Sequence, residues 1–262
     1  MKKFVFPRFK FASILLVLLL ALSSSIYAED LPVGSVNHFK PMIDDQYYGA
    51  LLKHVFDGGD LNEAVNLYGQ FVGSLPSSGY ELWMQELSMA RACLILARYS
   101  IDTGKEYKAW AETFMNEADK LIRSAEGHEA PKSAIMVLDA LSNSFWYLVN
   151  GSLSKAMKFP DMADEAYESN PEDFHALLLD ADRYLYSPGI VGGNKKKGLS
   201  LFQEAEKAAN LYGAAEWDLF SIYSGLASGY DKNGDHGKAV EYATLAKEIY
   251  SADKTVNSIL SK

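Results

Sequence analysis

Small and apolar residues recur along this chain at steps of four and three, and each run starts a fixed distance after a glycine. Gly59 is followed at +5, +9 and +12 by Ala64, Tyr68 and Phe71, Gly193 by Gly198, Phe202 and Ala205, and Gly234 by Ala239, Ala243 and Ala246. Gly151 keeps the spacing with Ala156, Pro160 and Ala163. Steps of four and three return to one face of a helix, so each glycine predicts a turn followed by a helix with one small or apolar stripe. Gly104 completes the series. Strong N-cap residues follow the other glycines (Asp60, Ser152, Asn194 and Asp235), whereas Lys105 follows Gly104.

A second stripe precedes each glycine. Tyr48, Leu51, Leu52 and Val55 share one helical face, as do Leu87, Ala90, Leu94, Ala97 and Ile101. Further helices are predicted over Lys132 to Leu148, Phe174 to Tyr186, and the stretch holding Tyr223, Leu226, Ala227 and Tyr230. Pro76, Gly127 with Pro131, and Asn170-Pro171 are expected to stop units one to three, and Pro160 suits a helix restarting there and running to Ser169. No stretch alternates at period two with strand-forming residues, so the chain is expected to be all-α, a series of helical hairpins.

Tyr48, Leu51, Leu52, Val55, Gly59, Ala64, Tyr68, Phe71 and Pro76 resemble a tetratricopeptide repeat, and Tyr223, Leu226, Ala227, Tyr230, Gly234, Ala239, Ala243 and Ala246 match it similarly. The resemblance implies a right-handed α-α superhelix, or solenoid, of about five hairpins whose first helices line a concave face. The loop from Ser187 to Asn194 also resembles, loosely, the periplasmic tetratricopeptide components of TRAP-type solute transporters.

The N-terminus changes the picture of where this happens. Lys2, Lys3, Arg8 and Lys10 precede an apolar run from Ala12 to Leu22, shorter than the roughly 20 residues of a membrane span, and Ser23 to Ala28 offers a small, polar cleavage region. Residues 1–28 are expected to be a signal peptide cleaved after Ala28, with an uncleaved anchor as the alternative. Residues 29–41 would then be a flexible leader and 42–262 the repeat domain of a periplasmic or secreted protein without a membrane span. The single cysteine, Cys93, lies in an apolar helix and is expected to pack as a small hydrophobe. Losing the four cations of the signal takes the formal charge from −9 to −13, which disfavours nucleic acid and anionic lipid as partners.

Catalytic chemistry finds no foothold. The stretch from Gly189 to Gly198 departs from a phosphate-binding loop at Asn194-Lys195-Lys196. His38, His54, His128, His175 and His236 form no metal-ligand pair, and Asp231 to Asp235 reads as a turn and not a calcium loop. No cofactor, metal or catalytic residue is expected, and the chain is read as a non-enzymatic scaffold or adaptor. Carried onto this chain, the repeat's inward positions are Gln46, Gly49, Lys53 and Phe56 in unit one, and Arg91, Arg98 and Ile101 in unit two. They are His175, Leu178, Asp182 and Tyr186 in unit four, and Ser221, Ser224, Ser228 and Asp231 in unit five. Partner-binding residues are therefore expected to be Lys53, Phe56, Arg91, Arg98, His175, Asp182 and Tyr186, contacting a protein or peptide. Lys53, Arg91 and Arg98 would converge as a positive stripe suited to an acidic segment. The alternative is a small-ligand-binding accessory of a periplasmic transport system, with a pocket between Phe145-Trp146-Tyr147 and Tyr184 and Tyr186.

Overall fold

Capping side chains fix six of the helix starts among the described residues. Asp45, Asp60, Asp173, Asn194, Asp235 and Asp253 each accept a hydrogen bond from a backbone N–H in the first turn of the helix that follows, satisfying donors that the helix itself leaves unpaired. The structure, a computed structural model, describes residues 39–171, 173–251 and 253–262. The signal peptide and residues 29–38 of the leader lie outside the described residues.

The helices are α1 (Lys40–Asp44), α2 (Gln46–Phe56), α3 (Leu61–Ser74), α4 (Leu82–Thr103), α5 (Lys108–Gly127) and α6 (Lys132–Asn150). They continue as α7 (Leu153–Ala156), α8 (Phe159–Ser169), α9 (Phe174–Tyr186), α10 (Lys195–Tyr212), α11 (Glu216–Asn233), α12 (His236–Ile249) and α13 (Lys254–Leu260). Among the described residues there is no strand. The fold is all-α.

The chain pairs as α2/α3, α4/α5, α6/α8, α9/α10 and α11/α12, which are the hairpins that the stripes predict. Ala64, Ala111, Ala118, Ala163, Ala205, Ala239, Ala243 and Ala246 are all fully buried, and such small side chains allow the two helices of a pair to approach closely. Successive pairs touch through α4 with α6, α6 with α9, and α9 with α11. The series also meets itself, because α2 of the first hairpin touches α11 of the last.

Two features depart from the sequence expectation, and a third agrees with it. Helix begins at Lys40, and Phe39 is buried at 2% exposure, so the end of the expected leader belongs to the core. As expected from Pro160, the second half of unit three breaks after one short turn, α7, and restarts as α8 at Phe159, with Pro160 in its first turn, running to Ser169. A further helix, α13, packs on α11 and α12 and buries Val256 and Ile259. Cys93 is wholly buried; burial pushes its thiol up to about 12, and its Sγ lies 3.1 Å from the Tyr68 hydroxyl.

Glycines at the fourth hairpin are there for proximity. A Cβ on Gly198 would lie 2.8 Å from the Leu185 backbone nitrogen, where α10 crosses α9. One on Gly193 would lie 1.9 Å from the Ser187 carbonyl oxygen. The loop cannot retreat freely, because the Gly193 N–H donates to Pro188 O at 3.1 Å and the Asn194 N–H to Tyr184 O at 2.8 Å. Gly193→Ala is expected to lower stability by about 1–3 kcal/mol. Urea unfolding measures this, and a loss below about 0.5 kcal/mol would mean that the loop has slack.

Candidate functional site

Charged residues inside the molecule come first, because they decide which expected contacts are available. Arg91 on α4 and Asp218 on α11 are 5% and 2% exposed and form an ion pair, Arg91 Nη2 donating to Asp218 Oδ1. His175 on α9 is 3% exposed, with Nε2 3.4 Å from Asp218 Oδ2 and Nδ1 3.4 Å from Asp173 Oδ1. The Phe39 ring meets the His175 ring edge-on at 4.6 Å, and the Arg91 guanidinium lies 4.8 Å from the centre of the same ring. Burial opposes ionisation of Asp218, but Arg91 and then His175 outweigh it and hold the carboxyl below its ordinary value. Three hairpins are thus joined by one charged cluster.

This corrects two of the expected partner contacts. Arg91 and His175 are buried, Arg91 paired with Asp218 and His175 lying between Asp173 and Asp218, so neither is open to a partner. Nor do Lys53, Arg91 and Arg98 make an open positive stripe. Arg98 is paired with Asp102 at 2.8 Å on the surface, and Lys53 lies 3.9 Å from Asp57. Arg98 also borders a recess beside Phe56 and Tyr250 of only about 20 Å³, too small for a ligand.

Phe56 joins the first hairpin to the last. Its ring stacks on Trp217 at 5.7 Å with 10° between planes, on Tyr250 at 5.4 Å, and contacts Phe220 at 6.2 Å. Beside this aromatic cluster opens a cleft of about 610 Å³ lined by Gly49, Lys53, Phe56 and Asp57 on the α2 side. Glu216 and Tyr223 of α11, and Leu245, Glu248 and Ile249 of α12, form the opposite wall. Three of the four inward positions expected in unit one therefore line one cavity, together with Tyr223 of the last unit's stripe and with Glu216, Leu245, Glu248 and Ile249, which the sequence reading did not single out.

A second cleft, of about 380 Å³, lies between the end of α9, α11 and α13. Tyr186, Ser228, Asp231, Lys232, Lys254 and Lys262 are among its walls. Lys232 sits 4.2 Å from the centre of the Tyr186 ring, and Lys262 pairs with Asp231 at 2.6 Å. Asp182, one turn before Tyr186, is exposed. Enclosure by surrounding chain pushes its carboxyl up towards about 7 against the pull of Lys232, but its open access to water favours the ionised form. Asp180, two residues earlier, faces the other way, fully buried and bonded to Arg183 Nε at 2.9 Å.

The three aromatics expected to wall a pocket, Phe145, Trp146 and Tyr147, do not share one face. Phe145 and Trp146 are buried, Trp146 Nε1 donating to Asp119 at 2.9 Å, whereas Tyr147 is exposed. Tyr184 is flanked by Arg183 and Lys197, each 3.9 Å from its ring centre. Among the described residues no group of three or more His, Cys, Asp or Glu side chains is arranged to hold a metal, and no helix is long and apolar enough to cross a membrane.

The sequence did carry a signal for Asp218 and Arg91. Asp218 is four residues before Ile222, and Arg91 lies between Leu87 and Leu94 at steps of four and three, so both charges are in phase with buried stripes. Two opposite charges so placed point to a buried pair.

No protein-family model matches the chain, and no curated protein matches it either. Among solved structures, the HusA haemophore from Porphyromonas gingivalis is similar at a TM-score of 0.48 and 19% sequence identity, over 79% of this chain and 94% of that one. The tetratricopeptide resemblance therefore rests on the residues of this chain alone.

Proposed function

We propose that this protein is an exported, non-enzymatic adaptor that holds a segment of another polypeptide in the cleft between α2 and the α11/α12 hairpin. The observation that carries the reading is the convergence of Gly49, Lys53 and Phe56 with Tyr223 and Ile249 around one cavity of about 610 Å³. That volume falls within the range of clefts that hold ligands, and aromatic and aliphatic walls with charged rims suit protein recognition. In this reading the hairpins coil as a tetratricopeptide-like solenoid until the first and last units meet, and the cleft is what remains open of the concave face. Cleavage after Ala28 would deliver the adaptor to the periplasm or beyond.

The test is to pan a random-peptide display library against the chain and remeasure the selected binders on Tyr223→Ala. That substitution is expected to weaken binding about tenfold or more while the helical circular dichroism signal persists. Binders indifferent to Tyr223 would remove the cleft from the proposal.

A second reading, a small-solute-binding accessory of a transport system, is favoured by the 380 Å³ cleft, where Tyr186 and three lysines face one cavity.

A further inference from the structure

The charges around the larger cleft oppose the partner class expected from the sequence. Arg91 is spent on Asp218, and Arg98 on Asp102. What faces the cleft is Lys53 against three carboxylates, Asp57, Glu216 and Glu248. Lys53 and Asp57 lie within 3.9 Å of each other and largely cancel. Glu216 and Glu248 are exposed and come from different helices, one on α11 and one on α12. Tyr223, Leu245 and Ile249 of the same two helices line the cleft with them, as does Phe56 of α2. An aliphatic and aromatic trough flanked by two carboxylates lies on a chain of formal charge −9.

We infer that the cleft takes a cationic polypeptide segment: a large apolar side chain inserted against Phe56, Tyr223 and Ile249, with a Lys or Arg on either side reaching Glu216 and Glu248. The inference rests on the adaptor reading above and narrows it. The chemistry follows from complementarity. Like charges would have to be brought together to seat an acidic segment, whereas a basic one gains two charge-assisted hydrogen bonds without leaving an acid unpaired. The surrounding negative field adds attraction at a distance, which salt weakens. Because that field acts on any basic peptide, the local carboxylates must be distinguished from the overall charge.

The experiment uses the peptide pool selected on the full chain. The pool should be enriched in Lys and Arg flanking an aromatic or aliphatic residue. The double variant Glu216→Lys/Glu248→Lys should weaken these binders at least tenfold. An equal charge change at the exposed Glu165 and Glu204, on α8 and α10 outside the cleft, should weaken them less than threefold. Circular dichroism on both variants keeps misfolding apart from loss of binding, and if the Glu216/Glu248 pair unfolds, Glu216→Gln/Glu248→Gln replaces it. Binders that need Tyr223 but carry no basic residues would overturn the inference and leave the adaptor reading standing. Equal losses in the two charge variants would also overturn it, showing diffuse attraction. The absence of any Tyr223-dependent binder would remove both. Self-association that Tyr223→Ala abolishes would assign the cleft to a second copy of the chain, again against the inference.

Discussion

Asp218→Ala is expected to destabilise the fold by about 3–5 kcal/mol, because it leaves the Arg91 guanidinium buried without its counter-charge. For a chain of this size that corresponds to a fall in Tm of roughly 6–20 °C. Arg91 and Asp218 are 127 residues apart in sequence and nearly inaccessible to water, so the remaining charge has no route to solvent short of opening the contact between α4 and α11. Replacing both partners at once, as Arg91→Met/Asp218→Leu, should recover most of the loss, since apolar packing does without the desolvation of two ions. Thermal melts of the single and double variants test this. A single variant within about 1 kcal/mol of the parent would mean that the pair is not held dry.

The same pair sets an acid limit. The folded state holds the Asp218 carboxyl below its ordinary value, so the stabilisation it provides is fully present above the unfolded carboxylate pKa of about 3.9. It is lost as the pH falls from there through the folded pKa. Asp218→Asn should therefore lose stability near neutrality and show a shallower decline below about pH 4 than the parent.

Phe56→Ala is expected to cost about 3–5 kcal/mol, the usual range for emptying a buried phenylalanine site. Phe56 is 4% exposed and touches Trp217, Phe220 and Tyr250, so the substitution leaves a hole where the first hairpin meets the last. The loss should be concentrated there. Amide hydrogen exchange in α2 and in the first turns of α11 should accelerate, while α5 and α6 keep their protection. Phe56→Leu should retain part of the stability but widen the cleft, weakening peptide capture more than it weakens folding. Uniform acceleration across the molecule, or a loss below about 1 kcal/mol, would contradict a local role for this ring.

The hairpins were legible because their information is local. A glycine turn, a capping side chain and a stripe at steps of four and three all lie within twenty residues of one another, and the structure places α9 at Phe174–Tyr186 where the pattern puts it. Short or weakly striped elements were less legible. Helix α1 has five residues and α13 seven, too few turns for a period to emerge, and both are held by packing onto longer helices. The aromatic run Phe145-Trp146-Tyr147 told only that the three rings could not share a face. Packing decided that Phe145 and Trp146 would be buried and Tyr147 would not.

Which inward-facing residues stay accessible was a different kind of question. Local periodicity can place Lys53, Phe56, Arg91 and His175 on the first helices of their pairs, and nothing more. It contains no information on which distant helices meet, because those contacts are set by packing between pairs far apart in sequence. In the fold, α2 touches α11. Packing of α4 and α9 onto α11 buries Arg91 and His175 around Asp218, while the contact of α2 with α11 brings Phe56 onto Trp217 and leaves Lys53 and Gly49 lining a cleft with Glu216 and Glu248. By itself the sequence determined that this protein is a chain of helical pairs with small residues at their seams, since those choices are made by neighbours in sequence. Only the tertiary structure decided which charges were consumed inside and which remained around a cleft, because Asp218, on which the buried charges converge, lies 127 residues from Arg91 and 43 from His175.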